Sequence, residues 1–213
     1  MFEQLLIATG ETLLMTFLAS LFAIAIGFPI GALLFLTKKN QLLAHKTLHQ
    51  MLSLIVNIGR SIPFVILMIA VIPFTRFIVG TSIGTGAAIV PLAIAAIPFF
   101  ARMVENAFLE VSSGLIEAAL SMGATTKQIV FKVLIPEAMP GITHCISITI
   151  ITLIGYSAMA GAVGGGGLGD LAIRYGYQRF DTDVMIETIV ILVAMVQLVQ
   201  IAGDYWVKRL SHR

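Results

Sequence analysis

Three stretches of the sequence carry residue types at spacings that could do chemistry. His45 and His49 stand at i and i+4, as two metal ligands on one helix would, but no Cys, Asp or Glu nearby completes a site. The run Gly164–Gly169 satisfies G-x-G-x-x-G but follows a long apolar segment instead of a strand. Residues 155–159 (GYSAM) lack the second glycine of a nucleophile elbow. We therefore predict no metal site, no dinucleotide site and no hydrolase.

The elements that must position any functional residue are membrane helices. Of the 213 residues, 58% are hydrophobic and only 11% are charged, far from the balance of a soluble domain. Charges cluster between long uncharged runs, and about 20 apolar residues suffice for a helix to cross the bilayer. The net charge of +2 comes from basic residues scattered around these runs, so no nucleic-acid partner is expected. The long apolar runs are instead expected to contact the lipid bilayer.

We predict an all-α polytopic membrane protein with about five transmembrane helices in a single domain, residues 1–213. Span two is short, and a full crossing would need part of Leu52–Gly59 or Phe77–Val79. Span three contains Pro91 and Pro98, which predict kinks. The five segments are Thr12–Thr37, Ser61–Thr75, Ala87–Ala101, the helix within Ala138–Gly169, and Val184–Val207.

The basic residues predict the orientation of these spans, because Lys and Arg are enriched in short cytoplasmic loops. More of them follow spans one, three and five than lie on the opposite side. We therefore expect an outside N-terminus, a cytoplasmic C-terminus and no cleaved signal peptide. The residues that decide this are Lys38, Lys39, Lys46, Lys127, Lys132, Lys208, Arg209 and Arg213, against Arg76, Arg174 and Arg179.

The polar segment between spans three and four, about residues 112–136, predicts two short helices joined by a turn. Ser112 or Ser113 can cap the first helix, and Gly123 suits the left-handed residue that ends it. Thr125 and Gln128 form the pattern of a capping box for the second helix. Periodicity alone also allows an amphipathic hairpin lying on the membrane surface.

This segment resembles the EAA loop of ABC importer permeases. The resemblance rests on Glu117-Ala118-Ala119, on Gly123 after three further residues, and on Val133-Leu134-Ile135-Pro136. It implies coupling helices that dock into a groove on a separate ATPase subunit. It also implies that Glu117 is a polar anchor, that Ala118 and Ala119 permit close approach, and that Gly123 makes the bend before Pro136.

The resemblance extends to methionine-uptake permeases through four further segments: IVNIGRSIPF, PFTRFIVGTSIG, FFARMVEN and GYSAMAGAVGGGGLG. It implies a bacterial inner-membrane importer of a small amino acid, with methionine the implied cargo. The implied partners are a second copy of the chain, two ATPase subunits on the cytoplasmic face and an external substrate-binding lipoprotein. ATP and Mg²⁺ belong to the ATPase, since no Gly-Lys pair of a Walker A loop occurs here.

Candidate pathway residues lie near the end of span four. We expect Tyr156, Ser157 and Met159 to line the substrate pathway. Gly164, Gly165, Gly166 and Gly167 are candidates for an outer gate, although a plain turn would have the same composition.

Two charged positions near predicted spans have alternative interpretations. Arg60 either lines the pathway or extends its guanidinium to the inner interface, since an arginine at mid-membrane costs about 2.5 to 3.5 kcal/mol. Arg102 and Glu105 are three apart and are expected to pair, primarily as a structural contact.

The alternative function is a self-contained secondary transporter or channel. Such proteins usually carry an ionisable residue in mid-membrane, and many show internal repeats. Here Glu105, Glu137 and Glu187 lie near predicted helix ends, and no repeat is evident. A copurifying ATPase would distinguish the importer from this alternative.

Overall fold

The computed structural model describes residues 2–211, so Arg213 lies outside it. Within that range every regular element is helical, as expected for this composition. The elements are α1 (Phe2–Thr37), α2 (Lys46–Ser61), α3 (Phe64–Ala70), α4 (Ile72–Val79), α5 (Thr85–Leu109), α6 (Ser113–Ser121), α7 (Thr126–Ile129) with a π-helical turn Val130–Leu134, α8 (Ile135–Gly161), α9 (Gly167–Leu171) with a π-helical turn Ala172–Tyr177, and α10 (Thr182–Ser211).

Four of the described helices are long and apolar enough to cross a membrane, and a bent pair brings the number to five. The long ones contain predicted spans one, three, four and five, although α1 begins at Phe2 instead of Thr12. Helices α7 and α8 form one continuous 36-residue helix from Thr126 to Gly161. Pro136 therefore lies within a continuous helix and does not mark its start.

Span two differs from the prediction. Instead of one helix over Ser61–Thr75, α2 ends at Ser61 and the chain bends by 101° before α3. The bend occurs where Pro63 lacks a backbone N–H and Ile62, the residue before it, is extended (φ −82, ψ 122). The proline thus divides the apolar segment that hydropathy treats as continuous.

The core is centred on the packing of α1 against α5. Small residues allow these two helices to approach each other closely. A methyl group in place of the Gly27 hydrogen would lie 2.9 Å from the carbonyl oxygen of Ile97. Phe35 of α1 and Phe108 of α5 are buried, with their ring centroids 5.7 Å apart. Helix α8 packs on α5, and α10 packs on α8 where Gly203 meets Ser147. The bundle holds the loop between α5 and α8 at one end.

Candidate functional site

The segment between α5 and α8 begins with the predicted short helix and glycine turn, but the second helix is not short, because it continues into α8. Ser112 precedes the first helix but makes no side-chain capping hydrogen bond there. Helix α6 ends at Ser121, and Gly123 follows with φ +78. The amide of Ala124 donates to the carbonyl of Ala119 at 3.1 Å, which closes the turn. The Thr125 amide donates to Oε1 of Gln128 at 2.8 Å, and the Gln128 amide donates to Oγ1 of Thr125 at 3.3 Å. These paired bonds form the predicted capping box.

The two faces of α6 differ in exposure. Ile116 and Ala119 are buried against the rest of the chain. Glu117 and Ala118 are exposed, as is Gly123. The loop is therefore anchored along one face and presents a carboxylate beside a small residue on the other.

A continuous helix connects this loop to the membrane bundle. Ile129, just before the π-helical turn, and Leu134, its last residue, are fully buried, so the helix is anchored at both ends of the turn. In that turn the amide of Ile135 donates to the carbonyl of Val130, five residues back. The wider turn immediately precedes Pro136, which has no N–H to donate. The loop and α8 are thus joined by one continuous helix.

The three pathway candidates do not share one surface. Tyr156 is half-buried and stacks on Phe64, with centroids 4.5 Å apart and planes 3° apart. Met159 is 48% exposed. Ser157 is 1% exposed, and its hydroxyl donates to the carbonyl of Ile154 at 2.8 Å. Ser157 thus faces the interior of the chain, whereas Met159 is available on its surface.

The glycine run forms a tight segment at the end of α8. Gly164, Gly166 and Gly167 have φ of +84, +77 and +73, a region that side chains rarely adopt. The carbonyl of Gly164 accepts a hydrogen bond from the amide of Gly84 at 2.8 Å. This bond attaches the segment to the start of α5.

Glu11 and Thr12 of α1 hold the same segment, and neither residue was predicted from the sequence to have this role. Oε2 of Glu11 accepts from the amide of Gly167 at 2.7 Å, and Oγ1 of Thr12 accepts from the amide of Leu168 at 2.9 Å. They satisfy amides at the start of α9, which its own helix leaves unpaired. Two features of the sequence could have indicated this contact. Glu11 is an acidic residue directly before predicted span one, and α9 begins with a glycine, which has no side chain to cap the helix.

The other polar candidates have structural roles. Arg102 forms the predicted ion pair with Glu105 and also donates to Asn57 on α2 at 2.7 Å. Nδ1 of His45 caps α2 by accepting from the amide of Leu48 at 3.2 Å, and Nδ1 of His49 lies 3.0 Å from the carbonyl of Leu34 on α1. Within residues 2–211 no group of three or more His, Cys, Asp or Glu could hold a metal ion.

A multi-span helical bundle with an exposed helix, glycine turn and helix between two spans is the architecture of a membrane permease component. The chain belongs to the family of binding-protein-dependent transport system inner membrane components, whose model matches residues 24–213. This family membership favours the importer over the self-contained transporter.

Individual relatives agree with this assignment. The chain is 56% identical over 211 residues to a probable D-methionine transport system permease protein, MetI, of Vibrio cholerae, covering 99% of this chain and 94% of that protein. It is 60% identical over 151 residues to the D-methionine permease MetI of Escherichia coli, covering 71% and 70%. An inward-facing MetNI methionine ABC transporter matches with a TM-score of 0.97 and 54% identity, covering 99% and 97%. An amino acid ABC transporter solved with histidines shares the fold, with a TM-score of 0.81, 20% identity, and 98% and 94% coverage.

Proposed function

We propose that this chain is the permease subunit through which an ATP-driven importer moves methionine across the inner membrane by alternating access. The observation that carries this proposal is the match over 99% of the chain to a methionine ABC transporter, at a TM-score of 0.97 and 54% identity. At that identity, both the loop geometry and the span arrangement are expected to serve the same transport process. The substrate is methionine or a close analogue.

The loop from Ser112 to Pro136 couples transport to a separate ATPase, which binds ATP and Mg²⁺. The exposed Glu117 and Ala118 form the contact surface, and the buried Ala119 holds α6 against the bundle. Gly123 keeps the angle between α6 and α7, and the helix through Pro136 carries the movement into the membrane. An amphipathic helix in a groove is a common mode of such docking.

The working complex contains two copies of the chain, two ATPase subunits and an external substrate-binding lipoprotein. The N-terminus lies outside and the C-terminus lies in the cytoplasm, because the basic residues concentrate on the side of the coupling loop. The substrate passes Tyr156 and Met159 between the two copies of the chain. Ser157, on the buried side of α8, packs that helix against the rest of its own chain. Gly164, Gly165, Gly166 and Gly167 form the outer gate, held by Glu11 and Thr12.

Reconstitution tests the proposal. The chain, its ATPase and its binding lipoprotein are assembled in vesicles, and uptake of labelled methionine is compared with uptake of labelled histidine and leucine. We expect ATP-dependent uptake of methionine that requires all three proteins. Uptake by the chain alone, or a preference for another amino acid, would contradict it.

A further inference from the structure

Arg60 lies level with the middle of α5, one of the helices long and apolar enough to cross the membrane. Its neighbour Gly59 packs against Pro98, and a methyl group in place of the Gly59 hydrogen would lie 2.9 Å from Cγ of Pro98. Pro98 is close to the middle of the 25-residue α5, which crosses the membrane. At 1.5 Å per residue, Arg60 lies about 21 Å along α2 from Lys46, at the start of the helix. Arg60 is therefore well away from the start of α2 and near the level at which α5 is halfway along its length.

The surroundings of Arg60 on this chain do not neutralise it. It is exposed, and the two ion pairs found within residues 2–211 involve Arg102 and Arg174 instead. It also continues a polar stripe along α2, whose members are Lys46, His49, Ser53, Asn57 and Arg60. Charged side chains at this depth face protein or a water-filled cavity, not lipid. The exposed apolar residues of α2, such as Ile55 and Ile58, lie on the opposite face.

The helix breaks directly after Arg60. Helix α2 ends at Ser61, and the chain turns by 101° before α3. Pro63 has no N–H, so the carbonyl oxygen of Gly59, four residues earlier, lacks its helical donor. Irregular backbone at membrane depth is found where it is buried in protein or lines water, and broken helices at the midplane supply main-chain ligands in many transporters. The break thus leaves the carbonyl oxygen of Gly59 without its helical donor at the residue that precedes Arg60 in the chain.

An aromatic pair adjoins the same break. Phe64 is the first residue of α3 and is 6% exposed, and its ring stacks on Tyr156 of α8. Tyr156 itself is only half-buried. Aromatic surfaces make favourable contacts with thioether sulfur and aliphatic chains.

We propose that Arg60 and the break at Ile62–Pro63 form a transient mid-membrane site for an α-amino acid. The guanidinium binds the carboxylate, the carbonyl oxygen of Gly59 accepts from the ammonium group, and the exposed part of Tyr156, whose ring is held by Phe64, contacts the side chain. The guanidinium and the carbonyl oxygen bind the carboxylate and the ammonium group, which all α-amino acids share. The site therefore binds the main-chain groups of the substrate more strongly than its side chain. This site rests on the proposed function, because it requires an amino acid to pass this point.

Uptake by the complete complex in vesicles tests the role of the guanidinium. We expect Arg60→Gln to lower the rate of methionine uptake on the order of tenfold or more, because a charge-assisted bond to the carboxylate is lost. Arg60→Lys should retain most of the rate, since it keeps the charge. Arg76→Gln is the matched control, because it removes an exposed arginine that bonds Ser82 outside this site. Equal uptake by the Arg60→Gln and Arg76→Gln complexes would overturn the site. Failure of the wild-type complex to transport methionine would instead overturn the proposed function.

Protection from labelling tests binding separately from transport. Cys145 is replaced by Ala, Ser61→Cys reports on the site, and Ile58→Cys on the apolar face is the control. We expect a charged thiol reagent to label Cys at position 61 much faster than at position 58. Methionine should slow the labelling at 61, methionine amide should not, and Arg60→Gln should abolish the protection. Slow labelling at 61, or protection that persists without Arg60, would show that Arg60 does not bind the carboxylate.

Discussion

Gly123 shows how a single backbone angle can matter more than packing. No atom lies within 4 Å of where its Cβ would be, so a side chain would meet no steric obstacle there. Its φ of +78 is nevertheless one that β-branched residues strongly disfavour. The strain of a substitution would therefore come from the backbone of the turn, and the turn sets the angle between α6 and α7.

Gly123→Val is expected to uncouple hydrolysis from uptake. Strain of about 1 to 3 kcal/mol at this residue is comparable with coupling energies of about 1 to 3 kcal/mol between sites. The variant should insert in the membrane at normal levels, while methionine uptake per ATP hydrolysed falls several-fold. Gly10→Val is the control, because Gly10 also has open space around it but lies within helix α1. Equal uptake ratios in the two variants would remove the turn from the coupling mechanism.

Glu117→Lys is expected to weaken binding of the ATPase subunit. The side chain is exposed, so reversing its charge should alter the contact surface without disturbing the buried residues of α6. We expect a several-fold loss of affinity for the ATPase, with a changed salt dependence. Pull-down of the ATPase at several salt concentrations measures both. Glu187→Lys reverses the charge of another exposed glutamate, on α10, and should bind the ATPase normally. If both variants bind alike, Glu117 is not part of the docking surface.

At the scale of elements, the glycine run and α1 form one structural unit. Helix α9 has five residues and depends on side chains from α1 for its first amides. A methyl group in place of the Gly167 hydrogen would lie 2.6 Å from Oγ1 of Thr12. The absence of a side chain at Gly167 therefore lets α9 approach α1 closely enough for both hydrogen bonds.

Thr12→Val should loosen this unit. The change keeps the shape of the side chain but leaves the buried amide of Leu168 without an acceptor, at a cost of about 1 to 3 kcal/mol. Thr16→Val is the matched control, since the hydroxyl of Thr16 donates only within α1. Thermal unfolding in detergent and hydrogen exchange at residues 164–168 should both show a larger effect for Thr12→Val. Equal effects would mean that the bond to Leu168 contributes nothing measurable.

At the scale of the whole molecule, the orientation in the membrane remains a prediction from charge. A cysteine at position 40 lies in the exposed turn after α1, and one at position 81 lies in the exposed segment before α5. In a chain with Cys145 replaced, an impermeant thiol reagent added outside intact cells should label Thr81→Cys and spare Asn40→Cys. Labelling of position 40 alone would reverse the orientation and place the coupling loop outside.

The sequence by itself determined the features that depend on nearby residues or on total apolar length. The number of spans follows from the energetic cost of burying charge in hydrocarbon, which any sufficiently long uncharged run avoids. The sequence predicted the glycine turn and the capping box of the loop between α5 and α8, because these features involve residues at most three positions apart. Its resemblance to a known loop then suggested a role for Glu117 and Gly123.

Only the tertiary structure decided which side of each helix meets which neighbour. Nothing local distinguishes Ser157 from Met159, yet packing buries the first and exposes the second. The bond from Gly167 to Glu11 joins residues 156 positions apart, so no sequence window contains both. The depth of Arg60 was likewise undecided until Gly59 was seen to pack on Pro98. Such contacts depend on how helices pack in three dimensions, and hydropathy averaged along the chain carries no information about that packing.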